Sequence, residues 1–268
     1  MNVLNMSKIR LLDLFSGIGG FSLGAKWEFG DDLEIVGFCE KEEYCQKVLK
    51  KNFPNVPIHK DIEKLNTNQF KKIDIITGGF PCQDISVAGK GKGIIDGKRS
   101  SLWFEMLRCI SDIRPKFAVI ENVPALTKRG GVEVIRSLAE SGYDAEWQII
   151  SAKQVGARHL RKRIWIVAYR SSKESETVSN SDSIRLKRQR KHEQPINQEK
   201  NKIRETSKFI NVCFRDIWQS EPKLGRVANG IPNRVHRIRG LGNAIVPQNA
   251  QVIFRLLKPL LYGGKNVI

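Results

Sequence analysis

Cys82 follows Pro81 in the stretch TGGFPCQDIS (Thr77–Ser86), and Glu121 opens the triplet ENV (Glu121–Val123) further along the chain. A thiolate is a nucleophile, and a carboxyl is the kind of acid or base that such a nucleophile needs beside it. Pro81 restricts the backbone before the thiol, and Gly78 and Gly79 permit a close approach. The following segment, QDISVAGKGKGIIDGKRS, is polar and glycine-rich, and it reads as a loop that closes over a substrate. Taken singly, the cysteine is an ordinary buried filler and the glutamate an ordinary capping group. Taken together they favour chemistry. No histidine lies near either segment in sequence, so a Cys–Glu pair is more natural here than a Cys–His hydrolase.

A second constellation is the turn DLFSGIGGFSLG (Asp13–Gly24), with Glu40 twenty residues after Gly20. Glycines let a backbone approach a ligand, and a carboxylate at this distance is placed to take ribose hydroxyls. The G-x-G-x-x-G fingerprint of dinucleotide folds would require glycine at position 22, where Ser22 stands. No GK[ST] follows either, which excludes a phosphate-binding Walker loop. A nucleoside cofactor without a pyrophosphate fits better, against the plain alternative of a strand–helix turn that holds nothing.

These residues need a scaffold. Apolar runs suited to strands (Ile9–Phe15, Leu33–Glu40, 57–62, 73–80, 117–123) alternate with helical stretches (20–29, 41–53, 101–113, 132–141). In the second helix Tyr44, Val48 and Leu49 share one face. Residues 144–151 and 163–170 read as a closing strand pair. Continuously apolar strands spaced by helices predict an α/β fold, a doubly wound and mostly parallel sheet covered on both faces. Ligands of such sheets bind at the carboxyl ends of the strands, where Cys82, Glu121, Glu40 and the glycine turn all fall.

The chain has 268 residues and a formal charge of +18, unevenly spread. Residues 1–150 hold 21 Lys/Arg against 20 Asp/Glu, and residues 151–268 hold 25 against 8. An excess confined to one half points to a nucleic acid more than to a merely solvated surface. Five cysteines without a CxxC pair and four histidines speak against a metal site or a disulfide framework. No apolar run approaches the ~20 residues of a membrane span, and the opening MNVLNMSKIR has no signal-peptide character. We expect a soluble, cytoplasmic protein, with Met1 or Met6 as its start.

At this point the sequence resembles the cytosine-C5 DNA methyltransferases. The resemblance rests on DLFSGIGGFSLG, Glu40, Asp61-Ile62, GGFPCQDIS, RSSLWFE, ENV, GARHLRKRIWIV and GLGNAIVPQ, in this order and spacing. It implies a Rossmann-like fold that uses S-adenosylmethionine. It implies that Cys82 attacks C6 of a flipped-out cytosine while Glu121 assists at N3. Asn122, Arg161 and Arg163 complete the implied catalytic set. Phe15, Gly17, Gly20, Glu40, Asp61, Ile62, Pro81, Leu102, Asn243 and Ile245 are implied to surround the cofactor. Two positions depart from the family pattern: Arg158-His159 replace a usual Pro-Gln, and Lys41 replaces an aromatic residue that commonly stacks on adenine.

The resemblance divides the chain into a catalytic and cofactor-binding part (1–170), a short basic target-recognition region (171–225), and a segment (226–268) that returns to the catalytic part. Its implied partner is double-stranded DNA, with no membrane or metal, and the enzyme is implied to act as a monomer. An RNA (tRNA) cytosine methyltransferase and a catalytically silent DNA-binding homologue are the alternatives.

Overall fold

The computed structural model of the chain describes residues 8–81, 102–128, 130–170 and 240–263. Cys82, the loop expected after it and the region 171–225 lie outside the described residues.

Seven strands form one sheet in the order β3-β2-β1-β4-β5-β7-β6. They are β1 (Ile9–Leu14), β2 (Leu33–Cys39), β3 (Ile58–His59), β4 (Ile75–Gly78), β5 (Phe117–Asn122), β6 (Tyr143–Ser151) and β7 (Lys162–Arg170). The first five pair in parallel, while β7 runs antiparallel to both β5 and β6. A hairpin makes that inevitable for β6 and β7, and the hairpin is inserted with its second strand inward. The strand pair anticipated from sequence is therefore present, with β7 interior and β6 at the edge.

The central strands β1, β4 and β5 are buried on both faces, which is why they read as unbroken apolar runs, while the edge strand β6 exposes Trp147 and Ile149. Leu12, Leu14, Ile76, Ala118, Ile120, Ile164 and Ile166 face one layer. It is built by α3 (Leu102–Ile113) and α4 (Gly131–Glu140). Ile9, Leu11, Ile75, Phe117, Val119 and Trp165 face the other layer, where α1 (Gly20–Phe29) and α5 (Pro247–Leu261) lie. Helix α5 starts with Pro247 in its first turn, where a missing N–H is harmless. It packs along α1, with Phe29 and Phe254 at 5.7 Å and Arg255 Nε 3.1 Å from Glu28 Oε2. The C-terminal segment thus lies over the first helix of the sheet.

The elements differ from the sequence reading in two places that matter for the site. Strand β3 is only two residues long, because after His59 the chain turns, with the Glu63 N–H donating to Asp61 Oδ1 at 3.1 Å. Helix α2 (Glu43–Asn52) buries Cys45 and Leu49, while Tyr44 is only half-buried and faces the cavity described below.

Strand order reverses between β1 and β4, so the crossovers leave in opposite directions and a crevice opens at the carboxyl ends. Asp13 pins this point. It is fully buried, and its carboxylate accepts from Ser22 Oγ on α1 and Thr77 Oγ1 on β4, both at 2.8 Å. Burial pushes its carboxyl up to about 7 despite those two bonds.

Candidate active site

A cavity of about 610 Å³ occupies that crevice. Eight of the ten residues expected around a cofactor line it: Phe15, Gly17, Glu40, Asp61, Ile62, Pro81, Leu102 and Asn243. Gly20 and Ile245 do not. They pack against each other just behind the wall, so close that a Cβ on Gly20 would lie 2.6 Å from Ile245 Cγ1.

The turn after β1 owes its shape to left-handed backbone at Phe15 (φ 51°), Gly17 (φ 54°) and Gly19 (φ 86°). For glycine this is free, but for phenylalanine it is strained, and such strain persists where surrounding contacts impose it. Glu40 supplies one such contact. Its Oε2 accepts from Gly17 N–H and its Oε1 from Glu42 N–H, each at 2.7 Å. Each oxygen keeps capacity for a further donor, as a ribose hydroxyl would provide.

At the β5 end of the cavity stand Glu121, Asn122 and Arg163. Glu121 is 8% exposed, and Arg163 Nε lies 2.9 Å from its Oε1. Burial pushes the Glu121 carboxyl up to about 7, against the opposing pull of Arg163 and Arg161. This group therefore exchanges its proton near neutral pH. Gly79 makes room for it: a Cβ there would sit 3.0 Å from Glu121 Oε2. Asn122 donates from Nδ2 to the Phe80 carbonyl at 3.0 Å and accepts Val123 N–H at 2.8 Å. Its amide therefore fastens the end of β5 to the strand exit that leads through Pro81 toward Cys82.

Arg161 is placed differently from its sequence neighbour Arg163. It borders a separate cleft with His159, Gly20 and Ile245, and donates to main-chain carbonyls of the C-terminal segment. His159 also faces that cleft rather than the main cavity. Tyr44, Gly240 and Gly242 line the cavity and were absent from the sequence reading of the site. The two glycines precede Asn243 in the GLGN motif and were open to inference from it. The sequence reading places Tyr44 on one helix face with Val48 and Leu49 and goes no further, because helical periodicity does not distinguish a core wall from a cavity wall.

Cys39, Cys45 and Cys109 are buried thiols. Burial pushes Cys39 and Cys109 up to about 12, so neither is a thiolate at neutral pH. Among the described residues no group of three His, Cys, Asp or Glu is arranged to hold a metal ion. No helix among them is long and apolar enough to cross a membrane.

A seven-stranded sheet with one reversed strand and a ligand crevice at the β1–β4 switch defines the fold of S-adenosylmethionine-dependent methyltransferases. Solved structures agree. The Schizosaccharomyces pombe Dnmt2 methyltransferase superposes with a TM-score of 0.51 and 25% identity, over 60% of this chain and 51% of that one. The Entamoeba histolytica methyltransferase EhMeth shares the fold with a TM-score of 0.60 at 16% identity, over 95% and 99% of the two chains. Within that class, the family model for the C-5 cytosine-specific DNA methylases matches residues 9–225, and the chain belongs to this family. The type II methyltransferase M.NgoBV of Neisseria gonorrhoeae is 30% identical over 270 residues, covering 94% of this chain and 62% of that protein. M2.BsuMI of Bacillus subtilis is 38% identical over 168 residues, covering 60% of this chain and 42% of the relative. The chain therefore spans less than two thirds of the length of these curated relatives.

Proposed function

We propose that the chain transfers a methyl group from S-adenosylmethionine to C5 of a cytosine in double-stranded DNA. The observation that carries this reading is the buried Glu121, with its carboxyl raised to about 7, held by Arg163 at one end of the cavity.

The residues present fit the cofactor. The cavity is of the size that takes a nucleoside-sized ligand. Glu40, tied to the glycine turn, suits ribose hydroxyls, while Phe15, Ile62, Pro81 and Leu102 supply apolar surface. Asp61 offers an acceptor to an adenine amine. When bound, S-adenosylmethionine supplies a methyl group made electrophilic by a sulfonium.

Cytosine C5 is a poor nucleophile until C6 carries an electron-rich substituent. In this reading the Cys82 thiolate forms a bond to C6 while Glu121 gives its proton to N3. The electron pair of the C5–C6 double bond becomes an enamine with its nucleophilic end at C5. After C5 is methylated, the C5 proton passes to solvent water, its electron pair restores the double bond and expels Cys82 as a thiolate, and Glu121 recovers its proton from N3. Arg163 fixes the carboxyl for both transfers. Asn122 holds the backbone before Cys82. The target base must leave the duplex to reach such a cavity. The basic residues beyond position 151 suit the phosphates around it.

The test is incubation of the protein with labelled S-adenosylmethionine and DNA of mixed sequence context, followed by mapping of 5-methylcytosine. Label in DNA at a defined context is the expected result. Label in tRNA and none in DNA would overturn the DNA assignment, and label in neither would overturn the enzyme.

A further inference from the structure

Arg161 sits one residue ahead of β7 and leaves the base end of the cavity to Arg163. Its Nη2 donates to the Gly242 carbonyl at 2.8 Å and to the Ala244 carbonyl at 2.6 Å, across 81 and 83 positions of sequence. Between those two acceptors lies Asn243, which lines the cofactor cavity. Directly after them comes Ile245, seated on Gly20 of the glycine turn. Residues 242–245 therefore form a short wall clasped between Arg161 on one side and the β1–α1 turn on the other. The same three-residue stretch sends Arg163 to Glu121, 2.9 Å away.

We infer that Arg161 is a positioning residue for cofactor binding: its guanidinium holds Asn243 and Ile245 against the glycine turn and touches neither cytosine nor cofactor. One arm of the guanidinium fork suits this task, because the two N–H bonds of the planar Nη2 point in fixed directions at two carbonyls. Bonds from a charged donor are stronger than neutral ones, so the wall loses its anchor when the guanidinium goes. This assignment rests on the methyl-transfer reading for the identity of the cofactor alone.

The experiment uses the full chain and S-adenosylhomocysteine, whose binding is followed by calorimetry without any methyl transfer. Arg161→Ala is expected to weaken binding about 10- to 100-fold, the scale of losing charge-assisted bonds. It is expected to raise KM for S-adenosylmethionine by a similar factor while kcat at saturation stays within about threefold. Arg161→Lys keeps the charge without the fork and is expected to fall between the two; it also serves if the alanine variant does not fold. Affinity unchanged in both variants would overturn the inference. So would a loss confined to DNA affinity with a salt slope smaller by ~1, the mark of a phosphate contact. A drop in thermal midpoint with no change in KM would reduce Arg161 to a structural role and overturn it too. A wild-type chain that binds the cofactor product yet never methylates DNA would sink the proposed function and leave this inference standing. A wild-type chain that binds no cofactor product would end both.

Discussion

The side-chain amide of Asn122 donates to the carbonyl of Phe80 across 3.0 Å, joining the end of β5 to the exit of β4 two residues before Cys82. Glu121 is its chain neighbour, so one dipeptide carries the protonatable carboxyl and anchors the backbone that leads to the thiol. Loss of the amide leaves a buried carbonyl unpaired, a penalty of about 1–3 kcal/mol. Asn122→Ala should lower kcat at least tenfold with S-adenosylhomocysteine affinity unchanged. Calorimetry and single-turnover methylation separate the two, and equal losses in both would show that Asn122 supports the cofactor side as well.

Glu121 and Asp13 both have carboxyls raised to about 7 by burial. Well below their ordinary values, 3.8 for Asp13 and 4.5 for Glu121, each is protonated whether the chain is folded or unfolded, and neither affects the balance. As pH rises toward 7 the unfolded carboxyls ionise freely while the folded ones resist, so folding loses stability until both forms are ionised. The thermal midpoint should therefore fall between pH 5 and pH 8. Glu121→Gln should flatten that slope, and Asp13→Asn should flatten it separately. A slope unaltered in Glu121→Gln would mean that the carboxyl ionises normally in the folded protein.

The same substitution addresses catalysis. Glu121→Gln removes the proton donor to N3 but keeps a hydrogen-bonding group of the same shape. A positioned acid or base contributes about 10²–10⁴ in rate, and a loss of that size is expected in methyl transfer. Wild-type activity should also decline above pH 7 as Glu121 loses its proton. A profile flat from pH 6 to 9 at saturating substrates would remove Glu121 from the proton-transfer step.

Gly20 has no room for a side chain, since an added Cβ would meet Ile245 Cγ1 at 2.6 Å and the Ile245 carbonyl at 3.3 Å. Gly20→Ala should push the 242–245 wall outward, weaken cofactor binding about tenfold, and destabilise the fold by roughly 1–3 kcal/mol, as overpacking does. Gly17→Ala meets no neighbour but requires a φ of 54° that alanine resists. The two variants therefore test sterics and backbone conformation separately. Tight binding by Gly20→Ala would show that the wall shifts without consequence.

Cys82→Ser tests the nucleophile. DNA containing 5-fluorocytosine blocks loss of the group at C5 and should leave the wild-type chain covalently attached in the presence of S-adenosylmethionine. The serine variant should form no denaturation-resistant complex while still binding the cofactor product. A trapped complex in the variant would assign the attack to another residue; Cys39 and Cys109 are poor substitutes, with thiols pushed up to about 12.

Much of the site was legible in the chain because its residues stand at the ends of apolar runs, and such runs announce buried parallel strands. From β1, β2, β4 and β5 follow the positions of the glycine turn, Glu40, Pro81 and Glu121 at one edge. Tyr44 was not legible as a cavity residue, nor was Arg161 as an anchor for Asn243. Both depend on what lies opposite, and the residues opposite come from distant parts of the sequence.

The order of chemical groups along the chain, the alternation of strands and helices and the segregation of charge are properties of the sequence by itself, set by residue type and spacing. Tertiary structure alone decided that β7 lies inside β6, that Arg161 and Arg163 serve different partners, and that Glu121 holds its proton near neutrality. The reason is physical. Local periodicity reports whether a side chain leaves water, while the proton affinity and partner of a buried group depend on dielectric and on charges that only folding brings within reach.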